Sequence, residues 1–255
     1  MRPDPAAISR KNDVIPANAG IHGAFTRGAD VHGEGIHGVH TLLRIADPNV
    51  LIWEDQRPDW ALSALQLAPW VVVRRAAPRP GLWPMGVRGS QRLERCAAWL
   101  PSEAVRDSAT PQQLVAARAW RLRPGIGATP AIAALDAAEA ILHARGFGHR
   151  WGPGGSVGYE LASGLPCTTP HSDLDLVLYA PQAFAREHAA ELQSALSRLP
   201  VRIDALLETP KGAVALAEHA RAGDRLLLRS ADGPRLVSDP WRDESAVART
   251  ASKSA

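Results

Sequence analysis

Asp173-Leu174-Asp175-Leu176-Val177-Leu178-Tyr179 is the stretch on which the reading of this chain turns. It reads as a β-strand, in which residues two apart face the same side. Asp173 and Asp175 therefore point together, ~6.5–7 Å apart at Cα, while Leu174 and Leu176 turn into a core. Two parallel carboxylates repel unless a cation neutralises them. An oxygen-only, acidic and partly open site favours Mg²⁺.

Downstream, Val201-Arg202-Ile203-Asp204-Ala205-Leu206-Leu207 repeats the device. Val201, Ile203 and Ala205 share one face and Asp204 takes the other. If the two strands are neighbours, three carboxylates converge, and such a set holds two Mg²⁺ ions at ~3.5–4 Å for an in-line displacement at phosphorus. Upstream, Gly154-Gly155-Ser156 follows an expected short strand at 149–151 and precedes an expected short helix, Val157 to Ser163. Backbone N–H groups in a glycine turn at a helix start cradle phosphate, Gly155 permits close approach, and Ser156 adds a hydroxyl. A lone Asp-x-Asp or Gly-Gly-Ser is common on surfaces. The ordered series of Gly-Ser, helix, Asp-x-Asp strand, helix and Asp strand carries the specificity.

The rest of the chain supplies a frame. Residues 1–38 are rich in Gly, Ala and His without helical or strand period and read as a disordered extension; His22, His32, His37 and, just past it, His40 are too loosely spaced for a metal site. From 39 onward the expected elements are a strand at 50–53, a helix at 59–69, a strand at 70–75, a return strand around Val87, and a helix from Gln91 to Leu100 closed by Pro101. Thr110-Pro111 opens a helix to about Leu122 and Thr129-Pro130 opens another to about Arg145, both with Thr as N-cap and Pro in the first turn. Between them, Arg-Pro-Gly-Ile-Gly-Ala at 123–128 reads as a linker. Further on, the pattern predicts a helix from Pro181 to before Pro200, a helix from Lys211 to about Ala222, and a hairpin of strands 225–229 and 235–238 around Asp232-Gly233, then a loose tail after Trp241.

The chain has 255 residues, enough for one large domain or two small ones. A net charge of +3 fits an anionic ligand or an acidic partner but is too small to argue for nucleic acid. Two isolated cysteines, Cys96 and Cys167, suggest neither a disulfide framework nor a zinc site. No stretch approaches the ~20 apolar residues of a membrane helix and no apolar signal core opens the chain, so a cytoplasmic setting is the expectation.

The motif order resembles the polymerase-β-like nucleotidyltransferases, in which a Gly-Ser pair holds the incoming triphosphate and three carboxylates hold two Mg²⁺. Gly155, Ser156, Asp173, Asp175 and Asp204 take those positions. The gap from Ser156 to Asp173 is longer than usual there, because of the insertion GLPCTTP at 164–170. The segments GSVGYELASGLPCTTPHSDLDLVL (155–178), APWVVVRRA (68–76), PMGVRGSQRLERCAAWLP (84–101) and GPRLVSDPW (233–241) resemble a narrower family, the malonate decarboxylase holo-acyl-carrier-protein synthases, or phosphoribosyl-dephospho-CoA transferases. The resemblance covers about residues 39–241. It implies an α+β fold, with a small N-terminal α/β domain at 39–122 for substrate or carrier binding, a linker at 123–129, and a nucleotidyltransferase-like domain at 130–241 whose mixed sheet is flanked by helices.

It also implies an activity. The donor is 2′-(5″-triphosphoribosyl)-3′-dephospho-CoA, the acceptor a serine of the apo acyl-carrier subunit of malonate decarboxylase, and the product a phosphodiester with release of pyrophosphate. Asp173 and Asp175 would be catalytic metal ligands. Asp204 would hold the metal nearest the serine, as ligand or also as general base. Gly155 and Ser156 would hold the β- and γ-phosphates. Arg88, Arg92 and Arg95, spaced by four and three on the expected helix, are candidates for the donor's phosphates or an acidic carrier, with a solvated basic face as the alternative. Lys211 is a weaker candidate for the triphosphate and Arg150 weaker still. Glu160 reads as a helix-surface carboxylate, Glu208 as a possible fourth acidic neighbour, Trp151 as packing more than an adenine stack, and Cys167 as a small apolar residue. Two alternatives stay open: another Mg²⁺-dependent nucleotidyltransferase acting on a small molecule, protein or RNA, and a non-catalytic binding module on the same fold.

Overall fold

Strand alternation and helix caps build two six-stranded sheets in the computed structural model, which describes residues 38–91, 93–122, 129–221 and 223–242. The first sheet contains β1 (Leu42–Ile45), β2 (Ile52–Trp53), β3 (Trp70–Val73), β4 (Leu82–Arg88), β5 (Arg95–Pro101) and β6 (Val105–Ala109). Its order is β2-β5-β4-β3-β1-β6 and every pairing is antiparallel. Helix α1 (Asp59–Leu67) lies between β2 and β3 in the chain.

The second half runs α2 (Pro111–Ala116), α3 (Pro130–Ala133), α4 (Leu135–Ala144), β7 (Trp151–Pro153), α5 (Gly155–Ser163), β8 (Leu174–Tyr179), α6 (Arg186–Leu196), β9 (Ile203–Thr209), β10 (Gly212–Ala215), α7 (Leu216–His219), β11 (Leu226–Ser230) and β12 (Gly233–Val237). The second sheet has the order β12-β11-β10-β9-β8-β7 and is mixed: β8 and β9 are parallel, joined by the crossover through α6, and the other neighbours are antiparallel. The α+β class follows.

Alternation decides which residues are buried. In β1, Leu43 and Ile45 enter a core with Leu65 of α1, Val71, Val73, Met85 and Leu100, whereas Leu42 turns the other way. Leu42, Trp70 and Ala109 join the larger core, which continues through Leu114, Ile132, Leu142, Trp151, Leu174 and Leu207. The first sheet therefore buries one face against α1 and gives part of the other to the second half. Gly152 of β7 lies so near the Pro111 backbone that a Cβ there would overlap it. That close approach seats α2 against β7.

Several expected boundaries are corrected. Residues 95–101 are a strand and not the end of a helix, because pairing with the full length of β4 satisfies their backbone. Thr110 does open a helix through a capping box with Gln113, but α2 ends at Ala116, and Arg118 at φ 45° turns the chain into a short 3₁₀ segment, Ala119–Arg121. The expected helix from 130 to 145 is divided at Ala134. The helix expected from Pro181 begins at Arg186. Where a helix was expected from Lys211, β10 pairs with β9 and only Leu216–His219 is helical. The hairpin around Asp232 is present. Most of the 1–38 extension, most of the 123–129 linker, nearly all of the tail, and Arg92 lie outside the described residues.

Candidate active site

The turn from β7 into α5 and the starts of β8 and β9 meet along one wall. Asp175 of β8 and Asp204 of β9 are direct partners in the parallel ladder. Leu174 and Leu176 are buried on the opposite face, as is Ala205, so the pleat alone sends both carboxylates outward. Asp173 immediately precedes β8, and its carboxylate stands 3.7 Å from the Arg202 guanidinium.

Gly155 has φ +53°, and a Cβ on it would overlap the Asp175 carboxylate. The Gly154 N–H donates to the Asp175 carbonyl at 2.9 Å. The glycine turn and the strand carrying Asp175 are thus locked edge to edge. Helix α5 then starts at Gly155, which directs its first N–H groups and the Ser156 side chain toward the same space.

That space is a cleft of about 640 Å³ between the two sheets. The second half contributes Gly155, Ser156, Asp173, Asp175, Arg202 and Asp204. The first sheet contributes Gly86, Val87, Arg88, Arg95 and Cys96 from β4 and β5, with His40 beside β1. Arg88 and Arg95 face each other as a cross-strand pair at the end of the β4–β5 hairpin. They are neighbours because of that register and not through a helical repeat, which corrects the reason for grouping them.

Charge in the cleft is divided. Burial raises the proton affinity of Asp175 above the ordinary carboxylate range, and the charges of Asp204 and Asp173 add to it, while Arg95 and Arg88 across the cleft oppose the rise. Among the described residues no three His, Cys, Asp or Glu side chains stand together closely enough to hold a metal ion. The carboxylates share a wall rather than a cage, with Arg202 beside Asp173 and Arg88 and Arg95 across the cleft. All donors of this group are carboxylate oxygens, and the repulsion at Asp175 is of the kind a hard divalent cation relieves. By donor chemistry alone, these oxygen ligands suit a hard cation such as Mg²⁺.

Two features were not legible at the outset. Glu160 is only 5% exposed and is not a surface residue of α5. Its Oε2 accepts from Cys167 N at 2.9 Å, Thr168 N at 2.7 Å and Thr168 Oγ1 at 2.7 Å, so it fastens the 164–170 insertion to the helix. Cys167 in turn donates from Sγ to the Ser156 carbonyl at 3.3 Å. Burial, reinforced by the Glu160 charge, pushes its thiol up to about 11, and it stays protonated near neutrality.

His40 is the second. It lies just past the 1–38 stretch and holds φ 73°, and its Nε2–H donates to Glu208 Oε1 over 3.0 Å. Arg75 Nη2 donates to both Glu208 oxygens at 2.6 Å. Glu208 belongs to β9, so this bridge joins the two halves beside the cleft.

Other candidates sit elsewhere. Lys211 occupies the turn between β9 and β10, at the far end of β9 from Asp204, and does not line the cleft. Arg150 donates to the Gly146 carbonyl at 2.8 Å. Trp151 is fully buried against Trp120, with ring centroids 6.4 Å apart, and is packing.

Two family models match successive parts of the chain: the Phosphoribosyl-dephospho-CoA transferase MdcG N-terminal domain over residues 38–111, and the corresponding MdcG C-terminal domain over residues 113–240. The chain belongs to that family. The phosphoribosyl-dephospho-CoA transferase of Azotobacter vinelandii is 39% identical over 215 residues, covering 82% of this chain and 100% of the relative. That of Pseudomonas putida strain GB-1 is 42% identical over 191 residues, 75% of this chain and 89% of the relative. That of Klebsiella pneumoniae is 37% identical over 204 residues, 77% and 97%. No solved structure matches the chain. The family match extends over both sheets and so over both walls of the cleft. Among the described residues no helix is long and apolar enough to cross a membrane.

Proposed function

We propose that the chain transfers the phosphoribosyl-dephospho-CoA group from its triphosphate precursor to a serine of the apo acyl-carrier subunit of malonate decarboxylase. The in-register pair Asp175–Asp204, set beside the Gly155-Ser156 turn on one wall of the cleft, carries this reading. Membership of the phosphoribosyl-dephospho-CoA transferase family supports it.

In the reaction the serine oxygen forms a bond to the α-phosphorus. The bond from that phosphorus to the oxygen bridging it to the β-phosphorus breaks. Pyrophosphate leaves with that electron pair, and the serine proton passes to a base or to solvent. The N–H groups at the start of α5 and the Ser156 hydroxyl hold the β- and γ-phosphates. Arg88 and Arg95 approach the same phosphates from the first sheet and balance charge on the departing pyrophosphate. Asp204 is exposed at the entry to β9 and takes the position nearest the incoming serine. Asp173, Asp175 and Asp204 would hold Mg²⁺, which when bound supplies charge neutralisation at the phosphoryl oxygens and lowers the pKa of the attacking hydroxyl.

Incubating the protein with Mg²⁺, the triphosphoribosyl donor and purified apo-carrier, then weighing the carrier, tests the reading. A mass gain of one prosthetic group on a serine peptide is the expected result. An unmodified carrier, with ATP or CTP used readily on another acceptor, would overturn it.

A further inference from the structure

A second cavity of about 580 Å³ lies on the same face of the second sheet. It shares His40, Val72 and Leu206 with the cleft, so the two spaces are continuous. The floor is the outward side of β9 to β12. Leu206, Ala213, Leu227 and Arg229 line it there, with Pro234 at its edge, and Val73 and Arg75 of the first half stand over it. Its walls are apolar apart from a few cationic groups. Arg75 is engaged by Glu208, and Arg74 by Glu54. Arg229 is exposed and has no acidic partner among the described residues.

The donor required by the proposed function has two separate phosphate groups. One is the triphosphate that reacts. The other is the diphosphate within its CoA half, two linked ribose rings away, from which an uncharged pantetheine arm extends. The molecule's face sets two anion-binding groups apart in the same way. Anion-binding N–H groups and carboxylates occupy one end. Arg229 occupies the other, four residues along the sheet and two strands across from Asp204 by the β9–β10 and β10–β11 registers. That separation is roughly 16 Å between Cα atoms, a span for two ribose rings and an arginine side chain. Beside Arg229, one pleat back along β11 at the level of Leu206, the surface is apolar, with Leu227 paired to Leu236 and both exposed.

We propose that this second cavity binds the 3′-dephospho-CoA half of the donor, with Arg229 on its diphosphate and the pantetheine arm along Leu227. The assignment rests on the proposed function for the identity of the donor. Specificity for a CoA-type donor over a plain nucleoside triphosphate then comes from a site separate from the carboxylates.

Calorimetric titration of the full chain tests this with two probes, 3′-dephospho-CoA and inorganic triphosphate, in magnesium buffer. The expected result is that each binds in the presence of the other. Arg229→Ala and Leu227→Glu, both at exposed positions, each weaken dephospho-CoA about tenfold and leave triphosphate unchanged. Asp204→Asn leaves dephospho-CoA unchanged. Competition between the probes, or wild-type dephospho-CoA affinity in both variants, overturns the assignment even if the carrier is modified normally. Dephospho-CoA binding that depends on Arg229 and Leu227 upholds it even if the carrier is not modified, and then the proposed acceptor is what fails.

Discussion

The Cβ that Gly155 lacks would fall on the Asp175 carboxylate. The residue that starts α5 and the residue at the centre of the acidic group therefore share one volume. Gly155→Ala must either push Asp175 off its position or reopen the turn, and at φ +53° it adds about 1 kcal/mol of left-handed strain. Steady-state assays should show kcat/KM down by about 100-fold or more, the scale of a misplaced reacting group. A thermal melt should show only a few degrees' loss.

Asp175→Asn separates catalysis from stability. The native carboxylate is opposed by burial and by Asp204 and Asp173. A neutral amide of the same shape removes that opposition. Activity should fall at least ~100-fold, because an oxygen ligand for the cation is lost. The melting temperature should stay the same or rise. A variant that keeps activity would sink the carboxylate assignment.

Glu208 should govern acid stability. Burial alone would raise its pKa, but the His40 hydrogen bond and the Arg75 guanidinium outweigh burial and hold it below the ordinary glutamate value of 4.5. A depressed folded-state pKa contributes stability that is full above the unfolded value and is lost as pH falls through the folded one. Denaturant titrations should show that loss below about pH 4.5, and Glu208→Gln should flatten it. At pH 7 the variant should be less stable by roughly 2–4 kcal/mol, since it leaves Arg75 partly buried and unpaired.

Glu160→Ala removes three hydrogen bonds from the 164–170 insertion at once. A cost of about 3 kcal/mol, equivalent to a fall of roughly 6–12 °C in Tm, follows for a charged acceptor with three donors. Because Cys167 and Thr169 line the cleft, KM for the donor should rise as well. Glu160→Gln, which keeps one acceptor oxygen, should recover part of both.

Local pattern revealed the carboxylate-bearing half well and the opposing wall poorly, for physical reasons. Asp173 to Tyr179 and Ile203 to Leu207 alternate so strongly that their facing was readable before any partner was known. Gln91 to Leu100 contains Arg, Leu, Glu and Ala, all good helix formers, yet pairing with β4 overrides that preference. The same preference led to a helix from Lys211, where β10 closes onto β9. Arg88 and Arg95 were grouped by a helical spacing that does not exist, although the hairpin register does make them neighbours. His40 and Glu160 could not be read at all. Their partners lie 168 residues away in one case and on an inserted loop in the other, and nothing local in sequence encodes such contacts.

Leu42, Trp70 and Ala109 of the first sheet belong to the same apolar core as Leu174 and Leu207 of the second. The two family models meet between residues 111 and 113, but the interior has no seam there. The halves cannot be exchanged as interchangeable modules between relatives unless both sides of that core are exchanged together. A substitution that reshapes the core side of one half therefore disturbs the packing behind the other wall of the cleft as well.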